Sequence, residues 1–264
     1  MTPALLPHWT SGPPDAPAVL FLHGFMGQHA DWDACLAAWP QPVRSITVDL
    51  PGHGAATTWP EAYTLPNTQQ AVLNLIEALH LDTVHLVGYS MGGRVALHLL
   101  LNHPDRFERA ALVSASPGLR TEAARQERQR HDAALAARLV RDGMEAFLPP
   151  WYQQSVFASL AQRPDLRQAF IRQRAHNDPE ALAAVLRGMG TGEQANLWER
   201  LGALRVPTLA LAGALDPAYV DLVQRMAQEA PAVQATILAE AGHTLHRERP
   251  AQLAAALHAH LLDA

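Results

Sequence analysis

The sequence contains no lysine, and all 20 of its basic residues are arginine. Its cationic chemistry is therefore guanidinium chemistry. There is a single cysteine, Cys35, which excludes an intramolecular disulfide framework and carries no redox motif. No apolar run approaches the roughly 20 residues that a membrane-spanning helix needs. No basic segment followed by an apolar one stands at the N-terminus, as a secretory signal would. The expectation is a cytoplasmic protein without membrane insertion. Internal repeats and low-complexity stretches are also missing. What remains is a chain of 264 residues with 48% apolar content, enough for one large α/β domain or two small ones with a sizeable core.

The charge is unevenly spread. The net charge is −5, yet residues 118–192 hold 11 arginines against 8 acids, a local net of +3. The rest carries 9 against 17, a net of −8. That excess is too small and too local for nucleic acid. It fits either a solvated helical surface or an element that collects small anions, since guanidinium forks match carboxylates and phosphates.

Hydrophobic patterning divides the chain into three parts. Residues 1–17 are Pro-rich and read as an edge strand followed by a turn at 11–15. Residues 18–23, 43–49, 83–87 and 109–114 are continuous apolar strands, with helices at 30–39, 67–80 and 94–101 between them. Such alternation means a mostly parallel sheet covered by helices on both faces. From 118 to about 198 strand character disappears. Helices are expected at 121–140, 151–160, 165–174 and 179–187, with Thr121 as an N-cap and Pro149-Pro150 as a break. Strands return at 208–212 and 234–238, each followed by a helix (218–229 and 251–262). The division is a core of 1–117 and 199–264 with a helical lid of 118–198 inserted after the strand 109–114.

The chemistry centres on Gly88-Tyr89-Ser90-Met91-Gly92-Gly93-Arg94, a Gly-x-Ser-x-Gly sequence set between a strand and a helix. This is the context of a nucleophile elbow, where close backbone packing leaves no room for side chains at the flanking glycines. A serine needs an imidazole to activate it and an acid to orient that imidazole. On such a sheet they follow in the order Ser, acid, His, each past the end of a strand. Asp216 and His243 stand at those places, with His246 as a rival to His243. Asp49 precedes the serine and reads as a turn-stabilising acid. The backbone N–H groups of Met91 and of Phe25, in His23-Gly24-Phe25, are placed to form an oxyanion hole. The His pair has no third ligand at suitable spacing, so neither metal nor cofactor is expected. Arg94 opens a helix, where anions are favoured. It suits either an anionic substrate or a salt bridge to the acidic body.

These motifs resemble the α/β-hydrolases over the full length of the chain. More narrowly, they resemble the 2-succinyl-6-hydroxy-2,4-cyclohexadiene-1-carboxylate synthases of menaquinone biosynthesis. Leu22-His-Gly-Phe25, Asp49-Leu-Pro-Gly-His-Gly54 and Gly88 to Arg94 carry the first likeness. Ser116-Pro-Gly-Leu119, Glu127-Arg-Gln-Arg130, Trp151-Tyr-Gln-Gln154, Val156-Phe-Ala-Ser-Leu160 and Arg187-Gly-Met-Gly-Thr-Gly192 carry the second. The resemblance implies an α/β-hydrolase fold and a lyase that removes a proton and eliminates pyruvate. Ser90 would be the base, relayed through His243 and Asp216. A serine hydrolase of small esters or of carbon–carbon bonds is the alternative. The substrate would be a small polycarboxylate held by Arg94, Arg128 and Arg174, with Tyr89, Trp151 and Phe157 as pocket aromatics. Arg172 is close enough to Arg174 to exchange with it. Read from the residues alone, Arg128 with Asp132 is also a plain i,i+4 pair, and Trp151 and Phe157 also suit a lid core. The protein would act as a monomer or homodimer.

Overall fold

A computed structural model describes residues 4–263, so the first three residues of the N-terminal segment lie outside the described part. Among the described residues the strands are β1 (His8–Ser11), β2 (Ala18–Leu22), β3 (Arg44–Val48), β4 (Val84–Tyr89), β5 (Phe107–Val113), β6 (Thr208–Gly213) and β7 (Val233–Leu238). They form one sheet in the order β1-β3-β2-β4-β5-β6-β7. β1 pairs antiparallel with β3 at the edge, and every other pairing is parallel.

Alternation along the strands separates two cores. Leu20 and Leu22 of β2 enter one core, while Val19 and Phe21 enter the other. The first core is closed by α2 (Leu65–Ala78), α3 (Met91–Asn102) and α7 (Pro217–Glu229) through residues such as Leu75, Leu99 and Met226. The second is closed by α1 (Asp33–Ala37) and α9 (Pro250–Leu262) through Cys35 and Leu257. α2 begins at Leu65 rather than at residue 67. Thr64 accepts the Asn67 N–H at 3.4 Å, and Pro66 falls in the first turn, where its missing N–H costs nothing.

Between β5 and β6 stand α4 (Glu122–Trp151), α5 (Pro164–Arg174) and α6 (Pro179–Met189). They have a core of their own, in which Leu139, Phe147, Leu160, Phe170 and Leu182 meet Met26 of the sheet-bearing part. Thr121 caps α4 as expected, accepting the Ala124 N–H at 3.2 Å. The break lies elsewhere than expected: at Gly143, with φ 70° and ψ 176°, and not at Pro149-Pro150. Glycine takes a positive φ without a Cβ penalty, and the prolines then fall in the last turn of the second segment. Trp151 accordingly ends α4, and the expected 151–160 helix is replaced by 3₁₀ turns over Ser155–Gln162. Among the described residues no helix is long and apolar enough to cross a membrane.

Candidate active site

Ser90 occupies the turn between β4 and α3 with φ 50° and ψ −108°. Such a backbone costs a non-glycine residue of order 1–3 kcal/mol. The turn is held by its surroundings. A Cβ on Gly92 would lie 2.4 Å from the Leu22 carbonyl oxygen and 2.5 Å from that of His23, so only glycine admits β2 so close. The Ser90 N–H donates to the Val113 carbonyl at 2.8 Å, fixing the tip against the end of β5.

His243 Nε2 lies 3.2 Å from Ser90 Oγ, and its Nδ1 lies 2.9 Å from Asp216 Oδ2. Asp216 and His243 are both about 5% exposed. Ser114 Oγ donates to the His243 carbonyl at 3.0 Å. The ring of Tyr219 stands edge-on to His243 at 4.5 Å. His246 does not compete for the serine. It is buried between Tyr89, at 4.2 Å, and Trp32, at 5.6 Å, and among the described residues neither of its ring nitrogens has a hydrogen-bond partner. Burial pushes it down to about 3, so it is neutral at physiological pH.

The loop after β2 lies directly against the serine. A Cβ on Gly24 would meet the Tyr89 ring at 2.7 Å and Ser90 Cβ at 3.4 Å. Buried His23 fixes this loop: the Leu50 N–H donates to Nε2 at 3.0 Å, which leaves Nδ1–H to donate to the Gly24 carbonyl at 2.7 Å. Burial, first among several influences, lowers the His23 pKa and keeps that neutral tautomer. Asp49 stabilises the neighbouring turn, accepting the N–H groups of His29 and Ala55 at 2.7 Å each.

Ser90 and His243 open onto a cavity of about 280 Å³ whose walls include Phe25, Met91, Arg94, Arg128, Trp151, Phe157 and Tyr219. Arg94 is buried and makes no ion pair among the described residues. Its Nη1 donates to the Met189 and Gly190 carbonyls at 2.8 and 3.3 Å. Burial lowers its pKa to about 10, opposed mainly by Tyr219, so it remains a cation at neutral pH. Arg128 donates from Nε to Asp132 at 2.7 Å and is 40% exposed. A smaller chamber of about 50 Å³ adjoins Ser90 and His243 and holds Tyr89 and Arg174. Here Arg174 forms a bidentate pair with Asp31, at 2.8 and 2.5 Å, with the two side chains 4% and 1% exposed. Burial would raise the Asp31 pKa, but Arg174 more than offsets this and holds the carboxyl below its usual range. Arg172 is exposed on the outer face of α5.

The family model of the α/β hydrolase fold matches residues 17–250. Over 91% of the chain, the sequence is 35% identical to the 2-succinyl-6-hydroxy-2,4-cyclohexadiene-1-carboxylate synthase of Salmonella agona (strain SL483), covering 92% of that protein. The chain belongs to the 2-succinyl-6-hydroxy-2,4-cyclohexadiene-1-carboxylate synthase family of α/β-hydrolases. Among solved structures, MenH from S. aureus superposes with a TM-score of 0.89 at 30% identity, covering 95% of this chain and 96% of that one. A thermophilic esterase from Thermogutta terrifontis, solved with malate bound, superposes with a TM-score of 0.82 at 25% identity, covering 96% and 91%.

Within this synthase-family fold, the structure brings nine of the eleven residues singled out from the sequence onto the larger cavity or into direct contact with its triad. Those are Ser90, Asp216, His243, Phe25, Met91, Arg94, Arg128, Trp151 and Phe157. Tyr89 and Arg174 lie on the smaller chamber instead. Sequence reasoning missed Tyr219. A signal existed, because Tyr219 follows Asp216 by three residues on the first turn of α7 and so shares its side. It also missed Asp31, whose partner stands 143 residues away.

Proposed function

We propose that the protein is a carbon–oxygen lyase. It would eliminate pyruvate from 2-succinyl-5-enolpyruvyl-6-hydroxy-3-cyclohexene-1-carboxylate to leave 2-succinyl-6-hydroxy-2,4-cyclohexadiene-1-carboxylate. The observation that carries this reading is the juxtaposition in one cavity of a hydrogen-bonded Ser90–His243–Asp216 triad with two guanidinium groups, Arg94 and Arg128. Membership of the synthase family supports it. Buried Arg94, which makes no ion pair among the described residues and lines the cavity, favours an anionic ligand over an uncharged ester.

The double bonds of substrate and product define the step. The proton at ring carbon 2, next to the succinyl ketone, leaves. Its electron pair forms the 2,3 double bond, the 3,4 bond moves to 4,5, and the bond from carbon 5 to the enolpyruvyl oxygen breaks. The leaving enolate takes up a proton at carbon and becomes pyruvate. Ser90 Oγ, with its proton passed to His243, is the base. Asp216 holds the Nδ1–H tautomer and stabilises the imidazolium. As the proton leaves, charge grows on the ketone oxygen, which the Phe25 and Met91 N–H groups would receive. No acyl-enzyme is required. Arg94 and Arg128 bind carboxylates, Trp151 and Phe157 pack on the ring system, and Arg174 and Tyr89 complete the wall behind the triad. Residues 118–198 form the lid over a core of 1–117 and 199–264. The protein is cytoplasmic and works without a cofactor.

The test is a pyruvate-release assay coupled to NADH oxidation by lactate dehydrogenase, with the enolpyruvyl compound as substrate. Stoichiometric pyruvate and an absorbing diene are expected. Rapid p-nitrophenyl ester turnover through an acyl-enzyme, with no pyruvate, would instead establish the serine hydrolase.

A further inference from the structure

Glu248 is a buried carboxylate, 3% exposed, at the end of the short helix α8 (Leu245–Glu248). No basic side chain pairs with it among the described residues. Its ligands are main-chain and hydroxyl donors clustered around one residue. Oε2 accepts the Gly242 N–H at 3.0 Å, and Oε1 accepts the Thr244 N–H at 3.1 Å and Thr244 Oγ1 at 2.8 Å. The two amides flank His243 on either side.

This is more than a helix cap. A capping box ties the third helical residue back to the N-cap amide. Glu248 is the fourth helical residue, and one of its oxygens reaches the amide of residue 242, beyond the N-cap Thr244. The surroundings hold the carboxylate there. Arg163, which precedes α5, donates to the Glu248 carbonyl at 2.8 Å and to the Glu240 carbonyl at 3.2 Å. Ser159 fills the space beside Gly242, where a Cβ would come within 2.0 Å of its Oγ. Burying a carboxylate without a counter-cation is unfavourable, and an apolar residue would pack there at lower cost.

We infer that Glu248 is a positioning residue for His243. Its carboxylate staples the amides on both sides of the histidine, so the imidazole meets Ser90 and Asp216 together. The helical insert supports the staple through Arg163 and Ser159. Glu248 touches neither substrate nor the reacting atoms. Misplacing a catalytic group by about 1 Å costs on the order of 100-fold in rate, so a modest slackening of this loop falls on kcat. The inference concerns the triad itself and holds for either reaction that the triad performs.

The test is Glu248→Gln. It keeps the shape but sets an amide NH₂ against a main-chain N–H, so one arm of the staple fails. Expected are a kcat about 10- to 100-fold lower, a KM within about twofold of wild type, and a weakened or shifted downfield proton resonance for the His243 Nδ1–H held by Asp216. That resonance is read without substrate, so a failed lyase assignment leaves this arm intact. Unchanged kcat and an unshifted resonance, even with a lowered Tm, would overturn the inference. If the Gln variant does not fold, Thr244→Val removes only the hydroxyl bond. It should lower kcat several-fold and shift the same resonance, and a Thr244→Val enzyme identical to wild type in both would equally overturn it.

Discussion

Arg94 donates a guanidinium nitrogen to the carbonyls of Met189 and Gly190 at the end of α6 while it also lines the cavity beside Ser90. One side chain thus joins the helix that starts at the nucleophile to the last helix of the insert. Its remaining N–H groups are available to a ligand.

Arg94→Met keeps the apolar stem and removes the charge. A hydrogen bond to a charged group contributes about 1.5–3 kcal/mol, so KM for the proposed enolpyruvyl substrate should rise about 10- to 150-fold. Tm should fall as well, because two carbonyls lose their donor. Steady-state kinetics and differential scanning calorimetry read the two effects. A KM change without a Tm change would mean that the carbonyl contacts contribute nothing.

The Arg174–Asp31 pair predicts an asymmetry. Arg174→Met alone leaves buried Asp31 with only the longer Arg247 contact, at 3.9 Å, and the Gln173 amide, at 3.2 Å, and should cost up to about 3–5 kcal/mol in urea unfolding. Adding Asp31→Asn should restore much of that loss. Two single variants whose losses simply add would contradict a coupled pair. The sign of the acid dependence follows from the depressed Asp31 pKa. The pair's contribution is complete above the unfolded carboxylate value, about 3.9, and is lost as pH falls through the lower folded value.

Three of the buried histidines make a large contribution to the behaviour at mildly acid pH. Burial lowers His53 and His246 to about 3 and His98 to about 4. Unfolded histidines titrate near 6.5, so below that pH the unfolded chain binds more protons and stability drops as pH falls. Each group contributes a slope of about 1.4 kcal/mol per pH unit between its unfolded and folded values, together about 4 kcal/mol per unit from pH 6 to 4.5. Tm against pH should show this fall, and His246→Leu should remove about 1.4 kcal/mol per pH unit of it. A Tm constant from pH 7 to 4.5 would count against all three.

The Ser90 backbone predicts a trade between stability and activity. Ser90→Ala and Ser90→Gly should both abolish pyruvate release, but only glycine relieves the positive φ. The Gly variant should therefore be the more stable of the two, by about 1 kcal/mol. Equal Tm values would show that the turn is not strained.

Much of this architecture was legible in the sequence because local and global signals agree there. Ser90, Asp216 and His243 each follow an apolar strand, and chain order assigns their partnership before any coordinate does. The absence of strand character after Gly118 likewise exposes the inserted helices. What stayed hidden depends on distance or on competing local rules. Gly143 lies beyond the expected helix end at 140 and is overshadowed by the stronger break signal of Pro149-Pro150, yet it is the residue whose φ turns the chain. Asp31 lies in a short 3₁₀ turn, where nothing marks a buried acid, and its meaning comes from Arg174 on a helix far along the chain. Arg172 and Arg174 were indistinguishable by spacing. Burial separates them, since only Arg174 points inward.

The cavity's cations are guanidinium groups in a chain with no ammonium side chain at all. A ketone or 2-oxo acid held against a lysine amine condenses to an imine. A guanidinium, protonated and delocalised, does not. A pocket that anchors its ligand by Arg94 and Arg128 can therefore hold carboxylates beside reactive carbonyls and release them unmodified. On the proposed reading, the charges that bind the substrate cannot trap the pyruvate it loses.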